Sequence, residues 1–261
     1  MDFLDKNRNK IVCCNAFDFL RDCPNECFDA VITDPPFGIG FLYADGKESI
    51  NNPNDYGKWL KPLISEIERV TKKGGFIAIF QSGLYNPWLY EWFGKDYLIY
   101  GACKNFLQIR PSNLLNFGMD PVMVKYKGFA LTNKGWVKTI DGDYEALRPK
   151  NIKRNLNFHV AKISREMLKT WNHEHKHPCP RPLSTIKELV ENFTIEGATI
   201  LDCFSGSGTL PVACIETGRT FFAVEGNPKY VKISEDRLHD VRQGIAKRSK
   251  RGVIIEEEYL F

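Results

Sequence analysis

Short apolar runs alternate with amphipathic segments toward both ends of this chain. The apolar runs have the length of buried strands, and the amphipathic segments place their apolar residues at a helical spacing. The predicted strands are 11–14, 28–33, 76–80, 97–103, 122–126, 198–202 and 220–224, and the predicted helices are 16–21, 59–71, 183–193, 209–217 and 227–241. This order predicts an α/β fold with a doubly wound, mostly parallel sheet and helices on both faces.

Two long segments interrupt this alternation. Residues 38–57 are polar and rich in Gly, Asn, Asp and Pro, which predicts a loop of the kind that often forms a lid or a binding surface. The run Lys72-Lys73-Gly74-Gly75 is predicted to end the helix over 59–71, because basic residues and glycine favour helix carboxyl ends. Residues 127–176 show little periodicity, which indicates an inserted, variable region.

The composition is that of an ordinary globular protein, with 43% hydrophobic and 26% charged residues. A chain of 261 residues is long enough for one α/β core with a modest insertion. Its start lacks a signal-peptide pattern, and no apolar run approaches the ~18 residues that span a bilayer, so we expect a soluble, cytoplasmic protein without a membrane partner. The eight cysteines show no repeated Cys-x-x-Cys spacing, which favours reduced thiols over disulfides or metal ligands.

Positive charge is concentrated in one part of the chain. Residues 148–181 carry nine basic side chains and two acidic ones, a balance of +7 in a chain whose net charge is +4. A basic patch of this size suits a polyanionic partner such as a nucleic acid. Composition alone slightly favours a solvated surface, so the patch gains meaning only beside other motifs.

Two short motifs directly follow predicted strands. Asp34-Pro35-Pro36-Phe37 ends one apolar run, and Phe204-Ser205-Gly206-Ser207-Gly208 follows another. Each motif is predicted at the carboxyl end of a buried parallel strand, where open α/β sheets bind ligands. Glu225 ends the next predicted strand, nineteen residues after Gly206. A glycine turn before a helix, followed by such an acid, indicates a nucleoside cofactor whose ribose hydroxyls bind the carboxylate.

These motifs together resemble those of the amino-group DNA methyltransferases, which methylate adenine N6 or cytosine N4 with S-adenosyl-L-methionine. The acidic motif precedes the glycine loop, which is the permuted order of that family's beta group. The resemblance implies a Rossmann-like methyltransferase core with a catalytic half over 1–126, a target-recognition insertion over 127–176 and a cofactor-binding half over 177–261. It also implies double-stranded DNA as partner. Beta-group members are often homodimers, although no interface is evident in this sequence.

The same resemblance assigns cofactor contacts. Asp202 corresponds to the acid near the methionine amino group, and Asn15-Ala16 stands where the family usually has an acid for the adenine amine. His177 begins the segment His177-Pro178-Cys179-Pro180-Arg181-Pro182-Leu183, which is similar to the family's His-Pro-x-x-Lys-Pro-Leu at the methionine end, with Arg181 in place of the usual lysine. The cofactor-binding residues so predicted are Asn15, Ala16, Asp34, His177, Asp202, Phe204, Ser205, Gly206, Gly208, Thr209 and Glu225.

The acidic motif suits methyl transfer to a base. An exocyclic amine is a poor nucleophile because its lone pair is delocalised into the ring, so a catalyst needs acceptors for both of its N–H bonds. The Asp34 carboxylate and the Pro35 carbonyl supply two acceptors, Pro36 helps to fix the turn, and Phe37 can stack on a flipped base. These four are the predicted catalytic residues. Aspartate in the first position favours adenine N6, since serine is commoner there in cytosine N4 enzymes.

Several alternatives remain open from the sequence. One is methylation of cytosine N4 or of RNA, and another is a catalytically idle DNA-binding subunit, which the intact Asp34–Phe37 motif argues against. His173, His175, His177 and Cys179 alternate along the chain and could bind a metal if extended, but no second cluster accompanies them and we expect no metal. The aromatic residues over 85–93 are predicted to pack on the core rather than stack on bases.

Overall fold

The computed structural model describes residues 2–40, 50–104, 119–132, 135–138, 158–161 and 180–243. The strands are β1 (Ile11–Cys13), β2 (Phe28–Thr33), β3 (Thr71–Phe80), β4 (Leu98–Lys104), β5 (Met119–Tyr126), β6 (Phe129–Thr132), β7 (Gly135–Lys138), β8 (Phe158–Ala161), β9 (Thr199–Asp202) and β10 (Thr220–Glu225). The helices are α1 (Phe3–Asn7), α2 (Ala16–Asp22), α3 (Pro53–Val70), α4 (Asn86–Phe93), α5 (Leu183–Phe193), α6 (Thr209–Glu216) and α7 (Pro228–Arg242).

Within these ranges one eight-stranded sheet has the order β1-β10-β9-β2-β3-β5-β4-β8, and β6 pairs with β7 in a separate hairpin. Neighbouring strands of the large sheet are parallel except at β5, which runs antiparallel to both β3 and β4. The predicted α/β fold with a doubly wound, mostly parallel sheet is therefore confirmed.

The two halves of the chain meet at the centre of this sheet. β2 lies beside β9, with Ala30 opposite Ile200 and Val31 opposite Leu201. β2 continues through α3 to β3 on one side, whereas β9 continues through α6 to β10 on the other. The strand order thus reverses between β2 and β9, and the crevice at their carboxyl ends is where such sheets bind ligands.

Both faces of the sheet are covered, which explains why the central strands are continuously apolar. On β2, Val31 belongs to a core with α2, α3 and α4, whereas Ala30 and Ile32 belong to a second core with α5, α6 and α7. Helix residues in the first core include Phe19, Leu20, Leu60, Ile67 and Leu89, and those in the second include Ile186, Leu189, Leu210, Val212 and Leu238.

The predicted loop over 38–57 is too long, because α3 begins at Pro53. The side chain of Asn52 caps this helix by accepting hydrogen bonds from the backbone N–H groups of Asn54 (2.8 Å) and Asp55 (3.3 Å). Proline suits the first helical position, since it has no N–H to leave unsatisfied. An asparagine cap followed by proline is a start signal that the apolar spacing from 59 onward does not contain.

The predicted end of the same helix is also wrong. α3 ends at Val70, and Lys72-Lys73-Gly74-Gly75 lies inside strand β3. The Thr71 hydroxyl donates to the Ile67 carbonyl at 2.6 Å, and β3 is extended by backbone hydrogen bonds to Lys127 from Gly74 and to Gly75 from Lys127. Tertiary pairing therefore overrides the local helix-ending signal.

Other expectations fall partly within the described ranges. Residues 127–176 contain the β6–β7 hairpin and β8, which pairs with β4; the rest of that segment lies outside the described residues. Tyr85, Trp92 and Phe93 are buried in the first core, as predicted, whereas Tyr90 is 70% exposed. The described cysteines are free thiols. No helix among the described residues is long and apolar enough to cross a membrane.

Candidate active site

A cavity of about 610 Å³ opens at the carboxyl ends of β2 and β9. It collects most of the predicted site residues. They are Asn15, Ala16, Asp34, Pro35, Pro36, Phe37, Asp202, Phe204, Ser205, Gly206, Thr209 and Glu225. Gly208 does not line the cavity and instead caps α6 behind the loop. His177 lies outside the described residues.

The glycine loop is held tightly between β9 and α6. The Ser205 N–H donates to the Val224 carbonyl at 2.8 Å, and the Ser234 hydroxyl donates to the Gly206 carbonyl at 2.7 Å. Gly208 has φ = +77°, and a Cβ there would lie 3.0 Å from the Ser234 hydroxyl oxygen. Glycine is therefore required for both conformation and space.

Asp202 is a buried acid at the end of β9. Its Oδ1 accepts hydrogen bonds from the Thr33 hydroxyl at 2.8 Å and from the Phe204 N–H at 3.1 Å. Burial raises the pKa of Asp202 to about 7, and the charges of Asp34 and Glu225 add to the effect, although the two hydrogen bonds oppose it. No cation pairs with Asp202 in the described structure, so a cationic ligand group would compensate its charge.

Glu225 and Asn15 lie at the ends of the outer strands of this half. The two carboxylate oxygens of Glu225 accept from the N–H groups of Gly206 at 2.9 Å and Asn227 at 2.8 Å. Asn15 caps α2 by accepting from the Phe17 N–H at 2.8 Å. Each of these oxygens has a second lone pair. Both side chains can therefore accept a further hydrogen bond from a ligand while they hold the backbone.

The acidic turn contains an ion pair that joins distant parts of the chain. Arg181 donates from Nε to Asp34 Oδ2 at 2.6 Å and from Nη2 to Asp34 Oδ1 at 2.9 Å, and its Nη1 donates to Asp120. Burial acts to lower the pKa of Arg181, but Asp34 and Asp120 outweigh it, so the net shift is upward and the side chain stays charged. The guanidinium also lies over the rings of Phe37 (5.1 Å) and Phe80 (4.8 Å).

The wall opposite the turn is aromatic. Trp59 on α3 packs against Phe204 at 6.0 Å and stacks on Tyr56 at 5.7 Å between ring centroids. Gly38 follows Phe37 with φ = +63°, and a Cβ there would lie 2.4 Å from the Tyr56 ring. The backbone after the acidic turn is therefore fitted against this aromatic wall.

Sequence reasoning missed three contributors to this cavity. Tyr56 and Trp59 carried only a loop and a helix-core prediction, because nothing in their spacing distinguishes a cavity wall from a core face. Arg181 was assigned with its segment to the methionine end of a cofactor, whereas the structure pairs it with Asp34. The described residues contain no group of three or more His, Cys, Asp or Glu suited to a metal, and the His173–Cys179 run lies outside them.

Comparison with known proteins decides the family. Residues 28–236 match the family model described as DNA methylase (N6_N4_Mtase). The chain belongs to this family of DNA methylases. The predicted family resemblance is confirmed, while assignment to the beta group in particular stays a prediction.

Relatives with curated names agree over most of the chain. Type II methyltransferase M.HpaI of Haemophilus parainfluenzae is 23% identical over 93% of this chain and 79% of its own length. DNA adenine methyltransferase YhdJ of Escherichia coli (strain K12) is 25% identical over 91% of this chain and 86% of its own.

Solved structures share the fold. PvuII DNA methyltransferase, named as cytosine-N4-specific, superposes with a TM-score of 0.62 at 16% identity, over 87% of this chain and 85% of that chain. The M1.HpyAVI–SAM complex gives 0.53 at 20% identity, over 88% of this chain and 98% of that chain. Proteins named for both target bases thus resemble this methylase.

Proposed function

We propose that this DNA methylase transfers a methyl group from S-adenosylmethionine to the exocyclic N6 of adenine in a flipped-out base of double-stranded DNA. One observation carries the proposal: the Asp34–Phe37 turn and the glycine loop from Phe204 to Gly208 line the same cavity. A methyl acceptor at the first and a nucleoside cofactor at the second would then lie next to each other, as direct transfer requires.

The cavity offers partners for each part of the cofactor. The ionised Asp202 suits the methionine ammonium, and Glu225 suits the ribose hydroxyls. The Ser205 hydroxyl oxygen is buried without a hydrogen-bond partner in the described structure, so a polar ligand group would satisfy it. Asn15 offers its amide to the adenine amine, and Phe204 and Trp59 provide apolar surface for the adenine ring. His177 is assigned to the methionine end by resemblance alone.

When bound, S-adenosylmethionine supplies an electrophilic methyl group on a sulfonium centre. The protein's part is to orient the base and make its amine nucleophilic. Asp34 accepts one N–H of the amine through a free lone pair, and the Pro35 carbonyl accepts the other. These bonds favour a tetrahedral nitrogen whose lone pair faces the methyl group. Phe37 stacks on the base, and positioning with local electrostatics provides the rate enhancement.

Cytosine N4 is the second candidate, because the PvuII enzyme named for that base has the same fold. RNA as substrate and a catalytically idle subunit complete the rivals. Residues 127–176 would recognise the target sequence, with basic side chains contacting phosphates, so DNA binding should weaken as salt rises. A homodimer also stays a prediction.

The test is to incubate purified protein with labelled S-adenosylmethionine and unmethylated DNA, digest the product, and identify the modified nucleoside by mass spectrometry. We expect N6-methyladenine from the wild type and none from Asp34→Ala, with the cofactor Kd of the variant largely unchanged. N4-methylcytosine would establish the second candidate. DNA binding without any methyl transfer would establish the idle subunit, and wild-type turnover by Asp34→Ala would refute the role of this carboxylate.

A further inference from the structure

We infer that Arg181, anchored by Asp120, is a positioning residue that holds the Asp34 carboxylate in the orientation needed to accept the amine of the target base. The inference rests on the proposed function of Asp34. Asp34 ends β2, Asp120 lies near the start of β5, and Arg181 precedes α5, so one side chain connects three elements around the cavity.

The hydrogen-bond geometry fixes both members of the pair. Two parallel bonds, 2.6 and 2.9 Å long, join Arg181 to the two oxygens of Asp34, which prevents rotation of the carboxylate about its terminal bond. The remaining nitrogen of the fork donates to Asp120, so the guanidinium cannot swing with Asp34 into the cavity. Phe37 and Phe80 lie against the guanidinium within about 5 Å.

Exposure shows which member of this group faces a substrate. The Asp34 side chain is 27% exposed, while Arg181 and Asp120 are each 15% exposed. Asp34 therefore keeps an open side toward the cavity, and its bracing groups lie mostly behind it. Each Asp34 oxygen keeps a lone pair for the base amine, because Arg181 uses only one on each.

Another partly buried arginine shows what a purely structural role looks like. Arg219 donates to the backbone carbonyls of Thr194 and Thr217 and to the Thr194 hydroxyl, and it lies outside the cavity lining. Its bonds hold main chain together. The side-chain bonds of Arg181, in contrast, go to two carboxylates, one of which belongs to the proposed catalytic turn. Arg181 thus acts through Asp34 rather than through the backbone.

The fork of arginine is essential to this role. A lysine ammonium is a single point charge and cannot make the parallel pair to Asp34 while also reaching Asp120 with a fixed planar geometry. Arg181→Lys should therefore keep the charge but only part of the positioning. Asp120→Asn keeps the shape of the anchor but removes its charge, so it should loosen Arg181 less than removing the guanidinium.

The test measures kcat for DNA methylation, cofactor Kd and Tm for the wild type, Arg181→Met, Arg181→Lys, Asp120→Asn and the matched control Arg219→Met. We expect Arg181→Met to lower kcat on the order of 100-fold, as a misplaced catalytic group does, with little change in cofactor Kd. Arg181→Lys should recover part of this loss, and Asp120→Asn should lose less than Arg181→Met. Arg219→Met should lower Tm but leave the kcat of the folded protein near that of the wild type.

The outcomes separate this inference from the proposed function. Full kcat in Arg181→Met, beside an active wild type and an inactive Asp34→Ala, overturns the positioning role alone. A kcat loss in Arg181→Met that only matches its loss of folded protein, as for Arg219→Met, also overturns it. A folded wild type that transfers no methyl group overturns both proposals.

Discussion

The buried carboxyl of Asp202 predicts that replacing it by asparagine stabilises the cofactor-free protein in a pH-dependent way. Burial raises its pKa from 3.8 to about 7. The folded protein therefore holds a proton that the unfolded chain has lost between these pH values, so stability falls as pH rises through this window. The full difference corresponds to about 4 kcal/mol once Asp202 is ionised.

Asparagine should avoid most of this cost. It has nearly the same shape, and its amide oxygen can still accept from the Thr33 hydroxyl and the Phe204 N–H. If half of the cost is recovered, about 2 kcal/mol, Tm at pH 8 should rise by roughly 5 °C. At pH 5 the gain should nearly vanish, because Asp202 is then protonated in the wild type.

The assay is thermal unfolding of wild type and Asp202→Asn without cofactor, at several values between pH 5 and pH 8. Asp29→Asn is the control, because Asp29 already pairs with Lys72 at 2.7 Å and its loss should not stabilise. An Asp202→Asn protein that is less stable than the wild type at pH 8, or equally stabilised at both ends of the range, would refute the argument from burial.

Three further predictions concern the cavity. Cofactor affinity should rise between pH 5.5 and 8 and binding should release a proton near pH 7, because a cationic ammonium favours ionised Asp202; calorimetry in buffers of different ionisation enthalpy measures this, and Asp202→Asn should lose the dependence. Gly38→Ala should destabilise by roughly 1–3 kcal/mol in denaturant unfolding, since its φ is +63° and its Cβ would overlap Tyr56; a neutral result would contradict the strain. Trp59→Leu should weaken cofactor binding about tenfold in a fluorescence titration by loosening Phe204, and unchanged affinity would remove Trp59 from the cofactor wall.

Local sequence signals were sufficient where a segment is determined by its own pattern. The bounds of β2 agree with the predicted strand, and those of β9 agree within one residue, because both faces of these strands are buried and the apolar runs end at the site motifs. From those motifs the expected meeting of Asp34 with the glycine loop followed, since the carboxyl ends of parallel strands share one edge.

What could not be predicted depends on distant contacts. Lys72-Lys73-Gly74-Gly75 has the composition of a helix end, but pairing with residues near Lys127 extends β3 through it. The bond between Arg181 and Asp34 spans 147 positions, and only the assembled sheet brings these residues together. The raised pKa of Asp202 likewise follows from burial, which a sequence motif does not reveal.

The most direct test of the account is methylation-aware sequencing of DNA from a methylation-free host that expresses either this chain or its Asp34→Ala variant. The account predicts methylated adenine within a defined sequence in the first strain and no modification in the second. Unmodified DNA from the wild-type strain despite folded protein, or the same marks in both strains, would contradict a single methyl-transfer centre at the carboxyl ends of β2 and β9.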